Sequence, residues 1–374
     1  MSPFRAVSLS GFGDRVAVAE SDRLRVFQFN AQTQEWSMLG QTITVENMVS
    51  VRLSRDGSTL VYGYFVRDPT AGKVSFVTVL GLERNNSDDK SPRWVQLGQQ
   101  LLGTCGFVNT VSVSDNGTIV AVGDPFDSNN GGLVVVYRLD DESRSWNAVG
   151  RPIRGFASGD YSGAAVSLSG DGNTIAIGSP GSSAAALNAG LVRVMEYNPS
   201  RNLWTQVGQV VHGEFRQKQF GYSVSLSQDG KRVAVGSPFF EPFGVGEGIV
   251  FVYELQPGLL NNGNVISNSR LSHWTQLGEK IAGEGFADGA GTSVSLSANG
   301  NTVAVGAPGR AYTRVLSLGS TGWTEAGYLE NRGIGKFGIS VSLADTGRVV
   351  AIGGASVGRA GTTQVFLRTE EKDN

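Results

Sequence analysis

The stretch from Phe220 to Ile281 carries four strand signals in succession, and the same unit recurs along the whole chain. Its first two strands, within F-G-Y-S-V-S-L-S-Q-D-G-K-R-V-A-V-G-S-P, alternate apolar with small residues. Asp229-Gly230 joins them and accepts the positive φ that a tight hairpin needs. A Gly/Pro/Phe loop leads to Ile249–Tyr253, and a long polar loop to a last strand opened by Trp274.

Aligned on the first strand, the unit starts seven times, at Val7, Val51, Val111, Val166, Val224, Val294 and Val341. The repeats themselves begin near residues 4, 49, 108, 163, 221, 291 and 338. The first strands read AVSLS, VRLS, VSVS, VSLS, VSLS, VSLS and VSLA; the second strands read VAVA, LVYG, VAVG, IAIG, VAVG, VAVG and VAIG. Ser-X-Asp/Asn-Gly lies between them in five units. All six tryptophans, Trp36, Trp94, Trp146, Trp204, Trp274 and Trp323, open fourth strands. Their fixed place argues for packing between sheets rather than for sugar-stacking platforms, since Trp buries a large area with one polar handle.

A lone sheet with one wet face would carry charges on that face. Small residues there instead imply sheets packed on both sides, tightest around an axis, which is the geometry of a β-propeller. The expectation is an all-β, seven-bladed propeller of four-stranded antiparallel blades spanning 1–374 as one domain, because a repeat array is one body however long. The seventh unit shows no fourth strand, so its outer edge is expected to be open. Unpaired edges invite association, which makes residues 363–368 a candidate for edge-to-edge pairing.

The 52 glycines serve turns rather than a collagen period, and the formal charge of −2 gives no electrostatic reason to expect nucleic acid or direct membrane insertion. Cys105 is the only cysteine, so no intrachain disulfide forms, and it reads as a small core residue. His212 and His273, the only histidines, sit in different repeats. No zinc spacing, P-loop or Gly-X-Ser-X-Gly elbow occurs. Asn85-Asn86-Ser87 and Asn116-Gly117-Thr118 are formal glycosylation sequons, meaningful only in a secreted chain. Met1-Ser2-Pro3-Phe4-Arg5 lacks the apolar core of a signal peptide and starts almost on a strand, the expectation for an excised domain or a mature segment.

The units resemble the FG-GAP repeats of integrin α-type propellers. Phe220-Gly221 and Phe337-Gly338 stand where that motif has Phe-Gly, and Gly306-Ala307-Pro308 matches Gly-Ala-Pro. Variants stand at Gly123-Asp124-Pro125, Gly178-Ser179-Pro180 and Gly236-Ser237-Pro238. The resemblance implies an extracellular or cell-surface protein that binds proteins or glycans rather than catalysing, although the missing leader leaves the cytoplasm open. That family often carries a calcium loop between first and second strands. Here the connection offers one carboxylate or none beyond the turn residue, too few oxygens for calcium, and no cofactor is expected.

Loops between second and third strands share one face with those between fourth and first, and loops on a rigid scaffold are where binding usually sits. There Phe239, Phe240 and Phe243 offer an aromatic anchor or a plug for the channel, with Arg310 and Tyr312 beside them. Asp160 and Tyr161 join this partner-binding set. Asp127, Asn129 and Asp160 are weak calcium candidates, against ordinary Asx-turn chemistry. The expected function is a non-catalytic scaffold for a protein or peptide partner, with a carbohydrate-binding propeller as the alternative. A propeller glycosidase or lyase would need converging acids among Asp124, Asp160, Glu214, Glu247, Glu284 and Asp288.

Overall fold

A computed structural model describes all residues except 1–5, 21, 69, 71, 85–90, 104–109, 215–218, 239–245, 260–264, 267–271, 332, 334, 356–361 and 369–374. Seven small antiparallel sheets stand in a ring: a seven-bladed β-propeller. The third blade shows the plan. Thr110–Val113 lies innermost, followed outward by Ile119–Asp124, Leu133–Asp140 and a fourth strand in two pieces, Ser145–Ala148 and Ile153–Arg154. Both pieces pair with the third strand. Between them Gly150 takes φ +72°, which a glycine adopts freely. The seventh blade has three strands, Ser340–Leu343, Val349–Gly354 and Thr362–Leu367. Among the described residues no helix is long and apolar enough to cross a membrane; the α-helix they contain is one turn, Asp127–Asn130.

Among the described residues no outer strand is shared between the first and seventh blades, and closure has another basis. The X residues of the Ser-X-Asp/Asn-Gly turns, or their equivalents, bond head to tail around the axis. The N–H groups of Gly11, Arg55, Asp115, Gly170, Gln228, Ala298 and Asp345 each donate to the carbonyl of the next, and Asp345 returns to Gly11 at 2.8 Å. Each bond contributes about 1 kcal/mol net, and together they tie the first blade to the seventh.

A second ring lies one step inward along the strands. The serine of Val-Ser-Leu accepts the N–H of the matching leucine in the following blade: Ser8 from Leu53, Ser112 from Leu168, Ser167 from Leu226, Ser225 from Leu296, Ser295 from Leu343 and Ser342 from Leu9. The small residues thus admit close approach and also bond across the gap. In the second blade Arg52 stands at this position, so Val113 has no such serine to meet.

The hairpin turns are locked by their own side chains. Ser169 Oγ donates to Asp171 at 2.6 Å, the Asn173 N–H donates to the same carboxyl oxygen, and the Thr174 N–H donates back to Ser169 Oγ. Burial pushes the Asp171 carboxyl up, but the bonds from Ser169 and Asn173 outweigh it and hold its pKa below the ordinary value. An acid whose folded pKa is depressed stabilises above its unfolded pKa, near 3.9, and loses that contribution as pH falls through the folded value. Asp171→Ala should therefore be less stable than the parent at pH 7, with the gap narrowing below about pH 4 in urea titrations. Asn116 makes the corresponding turn in the third blade, accepting from Ser114 and Thr118.

Candidate functional site

The inner strands surround an axial cavity of about 600 Å³. It opens on the face that carries the second-to-third and fourth-to-first loops. Those loops are knitted to one another: the Tyr161 N–H donates to Asn130 O at 2.8 Å and the Phe220 N–H to Ala189 O at 3.0 Å. Phe126, Tyr161 and Tyr222 stand at the mouth. Phe126 and Tyr161 meet edge to face at 5.7 Å. Tyr161 has φ +53°, but Gln219 and Lys336 share that conformation at the same point of later loops, so the strain belongs to the loop design. Deeper, the lining turns to Ser50, Thr110, Ser223, Ser293 and Ser340, with valines between.

The opposite end is covered. Arg55 reaches over Gly11 to Asp345, Nε to Oδ2 2.5 Å, and stands 3.9 Å from Asp115. Gln228 reaches over Gly170 to Asp115. A Cβ at Gly11 would press on Asp345 and Arg55, and one at Gly170 on Gln228 and Asp115. These two blades carry glycine at the crossing because a side chain already lies there. Burial raises the Asp115 carboxyl pKa, more than the bond from Gln228 and the charge of Arg55 lower it. The floor is a polar bridge, and the mouth is the open end.

Among the described residues Arg52 is the one charged residue in the cavity lining. Its Nη1 donates to the Val51 carbonyl at 2.9 Å. Among the described residues no carboxylate pairs with it, and burial lowers its pKa from the usual guanidinium value. Solvent reaches it only partly. The repeat alignment held its signal: one VRL among V-S-L and V-S-V strands.

Several expected site residues have other work. Tyr312 was expected on an exposed patch and is buried at 1 % exposure; burial and the Asp288 carboxylate both raise its pKa. Its hydroxyl donates to Asp288 Oδ2 at 2.7 Å, and its ring stacks on Tyr328 at 5.3 Å. Arg310 faces solvent and pairs with Asp288 at 3.0 Å. Asp288 also accepts the N–H groups of Glu284 and Gly285, and Asp160 those of Phe156 and Ala157; both acids brace their loops from within. Asp127 pairs with Arg154 at 2.7 Å, and the Asn129 carbonyl accepts from Ser158. Among the described residues no group of three His, Cys, Asp or Glu is placed to hold a metal ion. Phe239, Phe240, Phe243 and Cys105 lie outside the described residues. Besides the residues at the mouth, the described aromatic surface on this face includes Phe156 and Phe286, on corresponding loops and 60 % and 70 % exposed.

No family model and no curated protein matches the chain. Solved propellers do. A hydrazine synthase structure from Kuenenia stuttgartiensis superposes with TM-score 0.60 at 14 % identity, covering 98 % of this chain and 96 % of that one. A candidate 6-phosphogluconolactonase from Bacteroides uniformis gives 0.58 at 15 % identity, covering 98 % and 97 %. The periplasmic gluconolactonase of Pseudomonas aeruginosa gives 0.58 at 15 % identity, covering 97 % and 96 %. Identities this low show the shared fold alone. They correct one expectation, that the chain is not an enzyme: propellers of this shape include ones described as lactonases, so the architecture is no ground for setting catalysis aside.

Proposed function

We propose that this propeller takes up a ligand at the loop-face mouth of its axial cavity. The observation that carries this reading is the asymmetry of the channel, bridged by Arg55, Asp115, Asp345 and Gln228 at one end and open between aromatic side chains at the other. A concave site of a few hundred Å³ with an apolar rim and a few polar groups inside suits a small ligand. The depth of the mouth and its hydroxyl-rich wall support a small-molecule or carbohydrate ligand. Phe156 and Phe286, exposed on the same face, support a second reading in which a protein or peptide docks over that face through aromatic anchors.

A thermal-shift screen of small metabolites and oligosaccharides tests the site. Compounds that bind only the folded state raise the melting temperature by mass action. Hits are expected to lose their effect in Tyr161→Ala and Tyr222→Ala and to keep it in Phe12→Ala, because Phe12 stacks under Arg55 in the opposite ring of turns. Hits that ignore both tyrosines would place the binding site elsewhere.

A further inference from the structure

We propose that Arg52 grips the anionic group, a carboxylate or a phosphate, of a small organic ligand that enters by the loop-face mouth. The inference rests on the mouth being the binding site and names the chemistry read there.

Three observations carry it. First, Arg52 breaks the repeat at a place where the repeat serves stability. Six blades use a serine there to bond the following blade, and the second blade gives up that bond. Second, among the described residues no acid stands beside the guanidinium in the cavity. A charge surrounded by protein without a partner is costly, and arginine cannot escape by losing its proton. The acids on the floor, Asp115 and Asp345, are engaged by Arg55 and Gln228. Third, the surroundings match an organic anion rather than a bare ion. Ser50, Thr110 and Ser340 offer hydroxyls around the lining, and Tyr161 and Tyr222 offer ring faces at the mouth. A planar guanidinium fork suits the paired oxygens of a carboxylate or phosphate. The cavity, about 600 Å³, fits one such molecule.

The test compares matched probes by calorimetric titration at fixed ionic strength: glucuronate and glucose 6-phosphate against glucose. Arg52→Ser is the informative variant, since it restores the residue found at this position in the other six blades. It is expected to unfold at the same or a higher temperature than the parent. It is also expected to bind the anionic probes roughly tenfold or more weakly, the range of a lost charged hydrogen bond. Arg52→Lys should keep part of the affinity. Binding of glucuronate alone would assign a carboxylate, and of glucose 6-phosphate alone a phosphate. Two results would overturn the proposal: neither anion binding the parent up to roughly 10 mM, or Arg52→Ser binding them as well as the parent does. If glucose binds equally, survives Arg52→Ser and is lost in Tyr161→Ala, the mouth remains the site and the anion inference falls.

Discussion

Trp274→Ala is expected to cost about 3–5 kcal/mol, the usual range for emptying a buried aromatic site, measured as a lowered urea midpoint. Trp274 is 3 % exposed and packs in the cluster between the fourth and fifth blades. Its indole N–H donates to the Val207 carbonyl of the preceding blade at 2.9 Å, and its ring lies where a Cβ on Gly208 would meet Cδ1 at 2.8 Å. Gln209 completes the joint, with Nε2 donating to Trp274 O and Oε1 accepting from Trp274 N. Truncation therefore removes buried area, a cross-blade hydrogen bond and the reason for the glycine together. Trp94, Trp146, Trp204 and Trp323 make the same indole bond to the blade before them. Trp36 is the informative contrast. The blade before it is the seventh, and among the described residues no strand lies outside Thr362–Leu367 to offer such a carbonyl. Trp36 is only partly buried, beside the cluster between the first and seventh blades, with its ring 5.3 Å from that of Phe29. Trp36→Ala should accordingly cost clearly less than Trp274→Ala, and equal costs would contradict the staple.

The ring of blades was legible because its causes are local and repeated. An Asn or Asp before glycine makes the hairpin, alternation sets the strand, and a tryptophan at a fixed offset marks the outer edge. The three-stranded form of the seventh blade among the described residues was legible for the same reason, as a unit without its tryptophan. The site was less so. Tyr312 reads as a loop residue, and its burial depends on Asp288 folding back under its own loop. Arg55, Asp115 and Asp345 look like three unrelated turn residues until the ring brings the second, third and last hairpins beside one another. Arg52 was present in the alignment as the one charged residue at a serine position. What it lacked was a meaning, because only closure shows that this position faces an axial cavity and that no acid comes to meet it.

Gly236→Ala is expected to destabilise by about 3 kcal/mol or more, at or beyond the upper end of ordinary overpacking, although it adds a single methyl group. Gly236 is the last residue but one of the second strand of the fifth blade, with no positive φ, so conformational freedom does not explain it. A Cβ there would run into the carbonyl oxygen of Gly291 in the next blade and into Ser223 Oγ of its own. Gly291 sits at φ +86° and donates its N–H to Gly306 O at 3.1 Å, so it is fixed on its far side. The obstacle is backbone, which cannot swing aside as a side chain would. The same meeting recurs as Gly178 against Gly221 and Gly306 against Gly338, and Ser223 and Ser293 donate to the carbonyls of Gly291 and Gly338. These paired glycines set how near successive blades approach the axis, and hence the width of the cavity. Gly81→Ala is the control: Gly81 lies in a strand, has no positive φ, and a Cβ there meets nothing within 4 Å. It should change stability by no more than about 0.5 kcal/mol, as surface substitutions do. A Gly236→Ala protein as stable as Gly81→Ala would mean that the blades can move apart at the axis, and the cavity would then not have the fixed width described for it.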